Sequence, residues 1–236
     1  MIDARMFTVG PLQENCYIVR APGSDRAVVV DPGEEPERIL GALQALGITA
    51  VEAILLTHTH FDHVGAVAEV ARVTGAPVYC PELETEILAN INDYVRFPGF
   101  GPFESYDADH TVAGGETLEL AGLSFEVSFT PGHSPGHVSY ALPEQPDDPS
   151  AIQDGEAGYR ADRKLAALFS GDVLFQGSVG RVDLPGGDWP TLLASIESLL
   201  NAYLPETTVH PGHMGLTTLG AERDSNPFLR ELAHDR

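Results

Sequence analysis

Apolar residues along the first third of the chain arrive in short runs whose spacing changes repeatedly. Met6–Val9, Cys16–Val19 and Ala27–Val30 are of strand length and bounded by Gly, Pro and polar clusters, so they predict three strands. From Pro36 to Leu46 the spacing lengthens, placing Ile39, Leu40, Leu43 and Leu46 on one face of a helix that Gly47 closes. Ala53–Leu56 returns to an unbroken apolar strand. Val64, Val67, Ala68 and Ala71 then mark a second helical stripe, which Gly75-Ala76-Pro77 stops before the strand Val78–Cys80.

Between Tyr94 and Tyr106 neither period survives. Phe97, Phe100 and Phe103 alternate with Pro98, Gly99, Gly101 and Pro102, a pattern that predicts an irregular aromatic loop serving as a lid or pocket wall. Strands resume at Thr117–Leu120, Ser124–Phe129, Val138–Leu142 and Leu165–Phe169. The polar, acidic stretch Pro143–Arg163 between the last two reads as a surface insertion. Trp189–Leu200 predicts an amphipathic helix, Thr207–Val209 a short strand and Asn226–Ala233 a closing helical turn or two, with Pro227 suited to its start.

A weak internal echo organises these elements. Ala27–Val30 leads to Asp31, a helix, then Ala53–Leu56 and His58; Leu168–Phe169 leads to Asp172, the Trp189 helix, then Thr207–Val209 and His213. Two similar β-rich halves stacked face to face with helices outside would produce it. The expectation is an α/β protein, an αββα sandwich of two mixed sheets forming one domain over residues 1–236, with polar residues gathered along one edge.

Composition narrows the function classes. The 35 acidic and 13 basic side chains leave a formal charge of −22 across 236 residues, a field that repels phosphate backbones and anionic membrane surfaces. Neither a nucleic-acid nor a membrane partner is expected. Cys16 and Cys80 each sit in an apolar run and read as small buried hydrophobes rather than a disulfide framework. The opening residues lack a basic leader, and no run approaches the roughly 18 apolar residues of a bilayer span, so a cytoplasmic location is expected.

Three of the nine histidines fall in His58-Thr59-His60-Phe61-Asp62-His63, just after a predicted strand. In an extended segment, residues i and i+2 point the same way, so the imidazoles of His58 and His60 can converge on one ion. Asp62 and His63, turning into a helix start, aim toward a second point a few ångströms away. Donors to complete such sites stand at later strand ends: His133 in Pro131-Gly132-His133, Asp172 in Ser170-Gly171-Asp172, and His213 in Pro211-Gly212-His213. Each follows a Gly, as needed where backbone bends closely around a site. Singly, each reads more readily as a loop His or a turn Asp; jointly they predict a metal centre.

With these residues in view, the chain resembles the metallo-β-lactamase superfold family: a strand-end Asp, a His-x-His-x-Asp-His loop, then a His, an Asp and a His in order from Asp31 to His213. Gly171–Asp183, Val9–Tyr17 and Asn226–Leu229 resemble the short bacterial, glyoxalase II-like branch. That resemblance implies two divalent cations, zinc foremost with iron or manganese as alternatives. One is held by His58, His60, His133 and Asp172, the other by Asp62, His63, His213 and the same Asp172. It implies hydrolysis of a small-molecule thioester of the hydroxyacyl-glutathione type by a metal-bridging hydroxide, with Asp62 and Asp172 counted as catalytic. A mononuclear iron persulfide dioxygenase, a lactone or ester hydrolase, and a metal-stabilised binding protein without turnover remain as alternatives. A Cys where Asp172 stands would point to drug-hydrolysing β-lactamases, and a basic arm to the tRNA-processing branch; this chain has neither.

Around that set, Asp31 reads as a carboxylate that orients a ligand histidine. Arg181 and His137 are candidates for substrate contact, Arg181 with a structural pairing to Asp183 as its plainer role. His210 stands beside them, with a single backbone hydrogen bond as the alternative account.

Overall fold

The computed structural model describes residues 2–95, 97–143 and 165–230. Within them the chain builds two six-stranded sheets and a short ribbon. The first sheet runs in sequence order: β1 (Asp3–Val9), β2 (Glu14–Arg20), β3 (Arg26–Val30), β4 (Ala50–Leu55), β5 (Val78–Pro81) and β6 (His110–Val112). Its first two pairings are antiparallel and the other three parallel. The second sheet contains β7 (Thr117–Leu120), β8 (Leu123–Phe129), β9 (Val138–Pro143) and β10 (Leu165–Gly171) as an antiparallel meander. Past the ribbon β11 (Leu174–Phe175) and β12 (Ser178–Val179), β13 (Thr208–Pro211) adds parallel to β10, and β14 (Thr217–Thr218) closes the edge.

Period-2 alternation divides the apolar residues of the central strands among three cores. Tyr17, Val19, Val28, Val30, Ala53 and Leu55 from the first sheet meet Phe125, Val127, Tyr140, Leu142, Ala167 and Phe169 from the second in a shared inner core. The alternate residues Cys16, Ile18, Ala27, Val29 and Ile54 face outward, where α1 (Pro36–Ala45) lays Ile39 and Leu43 over them. α2 (Phe61–Val64), α3 (Val67–Thr74), α4 (Thr85–Ala89) and α5 (Ile91–Tyr94) complete that layer. On the far side Ala141, Leu168 and Val209 are covered by Leu192, Ile196 and Leu199 of α6 (Trp189–Ala202) and Leu219 of α7 (Leu219–Ser225). The order is helix, sheet, sheet, helix, an αββα sandwich.

The internal echo has a structural counterpart. β3, α1 and β4 form one parallel crossover with Val30 opposite Leu55; β10, α6 and β13 form another with Leu168 opposite Val209. Asp31, His58, Asp172 and His213 all follow the carboxyl ends of these four strands, on one edge of the sandwich.

Several elements differ from the sequence expectation. β6, β14 and the β11–β12 ribbon are two or three residues per strand, too short for alternation to register. Helix α7 precedes the predicted closing helix, and only a 3₁₀ turn, Pro227–Leu229, follows it, with the Asn226 side chain accepting from Phe228 N. Residues 231–233 of the predicted closing helix lie outside the described residues, as does the expected insertion at 143–163 beyond Pro143.

Candidate metal centre

β4 delivers the chain into an extended stretch at Thr57–His60, and α2 begins at Phe61, so Asp62 and His63 occupy a first helical turn. The later donors arrive on turns that need glycine. Gly132 sits at φ +129, where a Cβ would lie 2.2 Å from Leu192 N; at Gly212 a Cβ would lie 2.3 Å from Asp172 Oδ1. Closeness of backbone to neighbour, rather than flexibility, explains these positions.

Proton accounting shows what the first three histidines offer. The Thr57 hydroxyl donates to Asp31 Oδ2 at 2.6 Å, so its lone pair faces His58 Nδ1 at 3.0 Å and accepts that ring's N–H. His133 Nδ1 donates to the Arg181 carbonyl at 2.8 Å. Both rings therefore present a bare Nε2 inward, at 3.1 Å and 2.8 Å from His60 Nδ1. One N–H on His60 can serve only one of these acceptors, leaving lone pairs crowded against each other unless a cation lies among them. The ligand atoms of His58, His60 and His133 all lie within 4.8 Å of one another.

The second cluster is Asp62, His63 and His213, equally close in their ligand atoms. His63 Nδ1 donates to Asp31 Oδ2 at 3.1 Å, which turns Nε2 toward Asp172 Oδ1 at 3.3 Å. His213 Nε2 lies 3.4 Å from Asp62 Oδ2. Asp172 joins the clusters, its Oδ2 lying 3.5 Å from His133 Nε2 and 3.6 Å from His213 Nε2. His63 Nε2 and Asp172 Oδ1 are buried with no hydrogen-bond partner. Orphaned donor atoms of this kind, imidazole nitrogen and carboxylate oxygen, fit a pair of divalent cations.

Charge balance at the centre points the same way. Burial, reinforced by His63, His60 and His133, pushes His58 far below the usual imidazole range, and burial with His133 brings His60 down to about 3. Burial also works against a charged His63, but Asp172 and Asp31 outweigh it and raise that ring well above its ordinary value. Asp172 is held strongly down against the effect of burial by His63, His133 and His213; Asp62 is held down by its His213 hydrogen bond. One cluster is thus neutral imidazole, while the other pairs the Asp62 and Asp172 carboxylates with the raised rings of His63 and His213.

Two supporting groups escaped the sequence reading. Glu84, buried just before α4, accepts from Thr59 N at 2.7 Å and Thr59 Oγ1 at 2.9 Å, from Gly136 N at 2.9 Å, and from the Ser134 hydroxyl. A single carboxylate ties the His58–His60 stretch to the His133 loop. Asn15 Nδ2 donates to Pro211 O at 3.1 Å and Met214 O at 2.9 Å, and Tyr17 Oη donates to Pro211 O at 2.7 Å, which pins the His213 loop to β2. Nothing short of the folded contacts singles out Glu84; the Asn15-Cys16-Tyr17 segment had entered only through the family resemblance.

Of the remaining expectations, Asp31 stands where a ligand-orienting carboxylate should, bonded to Thr57 N at 2.8 Å and serving His58 and His63 together. Arg181 lines the cleft beside His133, its guanidinium forked onto Asp183 at 2.6 and 2.7 Å. The substrate contact expected of His137 is corrected by the structure. Its ring is fully buried behind the centre, with Nδ1 facing Thr130 Oγ1 and Nε2 accepting from Asp172 N at 3.1 Å, so it positions a ligand backbone and does not reach the cleft. His210 is likewise absent from the cleft lining; its ring stacks on Phe169.

A cavity of about 540 Å³ opens over His60, Asp62, His133, Asp172 and His213. Tyr94, Phe97 and Phe100 of the aromatic segment form part of its wall, and Phe103 packs on Phe61 with ring centroids 5.6 Å apart.

The chain matches the family described as the Metallo-beta-lactamase superfamily over residues 9–147. It is 38% identical to the probable metallo-hydrolase YqgX of Bacillus subtilis (strain 168), covering 95% of this chain and 96% of that one. It is 31% identical to the hydroxyacylglutathione hydrolase GloC of Haemophilus influenzae, covering 97% and 98%. Among solved structures, BLEG-1 B3 metallo-beta-lactamase superposes with a TM-score of 0.81 at 39% identity, over 96% of this chain and 99% of that one. TTHA1623 in a di-iron-bound form gives 0.75 at 42% identity, over 95% and 100%.

Proposed function

The chain belongs to the metallo-beta-lactamase superfamily, and from that premise we propose that this metallo-hydrolase cleaves thioesters of the hydroxyacyl-glutathione type at a centre for two divalent cations. The observation that carries the reading is the spanning carboxylate of Asp172, placed between an imidazole cluster in which His58 and His133 turn their N–H groups outward and a second cluster that adds the Asp62 carboxylate. His58, His60 and His133 would hold one ion and Asp62, His63 and His213 the other, with Asp172 reaching both. Zinc is the proposed cation; iron, supported by the di-iron relative, and manganese suit the same nitrogen and oxygen donors.

When bound, such ions supply Lewis acidity and an activated water at neutral pH. The chain's own groups supply the rest. Asp31, Thr57 and the Arg181 carbonyl fix which nitrogen of each ring is bare. His137 holds the Asp172 backbone, and Asp62 offers a carboxylate at the cleft floor for proton transfer. A thiolate, whose conjugate acid has a pKa around 8.5, leaves without strong acid assistance, which suits a cleft poor in proton donors. The GloC relative supports the thioester class. We include in this reading a single catalytic domain acting in the cytoplasm on small molecules, without nucleic acid; among the described residues no helix is long and apolar enough to cross a membrane.

The test is thioester cleavage by purified protein supplied separately with zinc, iron and manganese, with elemental analysis of each preparation. Two ions per chain and thiol release from S-lactoylglutathione are expected; inert protein under all three metals would overturn the reading. A second reading, β-lactam hydrolysis, is favoured by the 39% identity to BLEG-1, and a chromogenic β-lactam in the same assay decides it.

A further inference from the structure

Ten large apolar side chains are well exposed among the described residues, and four of them share one cleft. Leu12, Tyr94, Phe97 and Met214 are each between 40 and 54% exposed, and all four line the cleft above the metal centre. Ile87 and Phe100 line the same cleft. The wall begins at the chemistry itself. Phe61, set between His60 and Asp62, packs against Phe100 and Phe97 with ring centroids 4.9 and 5.9 Å apart. Apolar surface left open beside reacting groups marks a ligand site rather than unfinished packing.

Charge argues in the same direction. A glutathione carrier brings two carboxylates, and the basic side chain among the described residues lining the cleft is Arg181, already forked onto Asp183. The surrounding molecule has 35 acidic against 13 basic side chains. The carriers of biological thioesters are polar amide chains, so the part of a thioester able to wet an apolar wall is the acyl group.

Resting on the thioesterase reading, we infer that the cleft selects a medium-length, uncharged, apolar acyl chain, laid against the wall formed by Ile87, Tyr94, Phe97 and Phe100. The reaction balances as ordinary hydrolysis. Water oxygen bonds to the acyl carbon, the carbon–sulfur bond breaks with its electron pair going to sulfur, and a fatty carboxylate, a thiol and one proton are released. Within the thioester class, lactoyl covers less of the wall than a longer acyl chain does and gains less from it.

The experiment compares N-acetylcysteamine thioesters of two, four, six, eight and ten carbons with S-lactoylglutathione on the metal-loaded enzyme. Binding of the non-hydrolysable N-methylalkanamides of matching acyl length is followed by calorimetry. A fully buried methylene gains about fourfold. With partial exposure, kcat/KM for the octanoyl substrate is expected to exceed that for acetyl by at least about thirtyfold. Amide affinity should rise in parallel with a negative heat-capacity change. Phe97→Ala and Tyr94→Ala, at half-exposed positions, should lower the octanoyl value at least about fivefold more than the acetyl value. Turnover of S-lactoylglutathione with a flat chain-length series would overturn the inference and leave the thioesterase reading standing. Length-dependent amide binding with no turnover on any thioester would do the reverse.

Discussion

Asp31 sets the protonation of two candidate ligand histidines at once, directly on His63 and through the Thr57 hydroxyl on His58, from a backbone held at φ 47. A non-glycine residue in that left-handed region is strained and persists only where surrounding contacts demand it. Replacing one carboxylate oxygen by an amide group removes an acceptor that both histidine networks share. Asp31→Asn is therefore expected to weaken metal binding by about 10- to 100-fold, read by competition with a chromogenic chelator while circular dichroism stays unchanged. His210 supplies a residue-scale prediction of a different kind. Burial pushes its ring down to about 4 from an ordinary 6.5, and its Nδ1 has no partner. The unfolded chain then binds the extra proton first, so stability is fully present above pH 6.5 and is lost as pH falls toward 4. The loss attributable to this ring is on the order of 3 kcal/mol. His210→Phe should flatten the urea-unfolding stability across that window; an unchanged slope would assign it to other groups.

At the scale of elements, the site depends on loops from the two sheets being tied together. Glu84 does this for the strand-to-α2 stretch and the His133 loop, using both oxygens on four donors. Glu84→Gln turns one oxygen into a donor facing the Ser134 hydroxyl and Gly136 N–H or the Thr59 pair, so the loops separate. We expect kcat to fall at least about tenfold with a raised metal requirement, measured by titrating zinc into chelated protein, whereas Glu82→Gln on the exposed side of the same turn should do nothing. This tie also shows what pattern reading can see. The central strands were legible because each carries apolar residues on both faces, as Cys16–Val19 and Ala27–Val30 do, and the ligand positions because each terminates such a strand. α4 and α5 are four or five residues, too short to show a helical period, and Glu84 looks like any surface acid until its loops close over it. The misplacement of His137 has a similar origin: four residues after His133 it is near in sequence, but β9 begins at Val138 and turns the ring to the opposite side of the centre.

The whole molecule acts on its substrates through its charge before any contact is made. A formal charge of −22 sets up a repulsive potential for anions that extends about one Debye length, roughly 10 Å at 0.1 M salt and 30 Å at 0.01 M. Arg181, neutralised by Asp183, does little to offset it at the cleft mouth. For an anionic substrate such as a glutathione thioester, encounter should therefore improve as salt is added, the opposite of the usual steering effect. kcat/KM for S-lactoylglutathione is expected to rise about three- to tenfold between 0.01 and 0.3 M sodium chloride, with kcat nearly constant. The uncharged octanoyl thioester should change less than about twofold over the same range. Stopped-flow measurements on both substrates in one buffer series separate the field from any effect of salt on the enzyme itself, because the neutral substrate reports the latter alone. A fall in kcat/KM for the anion would mean that the bound cations and the histidines around them, rather than the acidic shell, dominate the potential an incoming substrate meets.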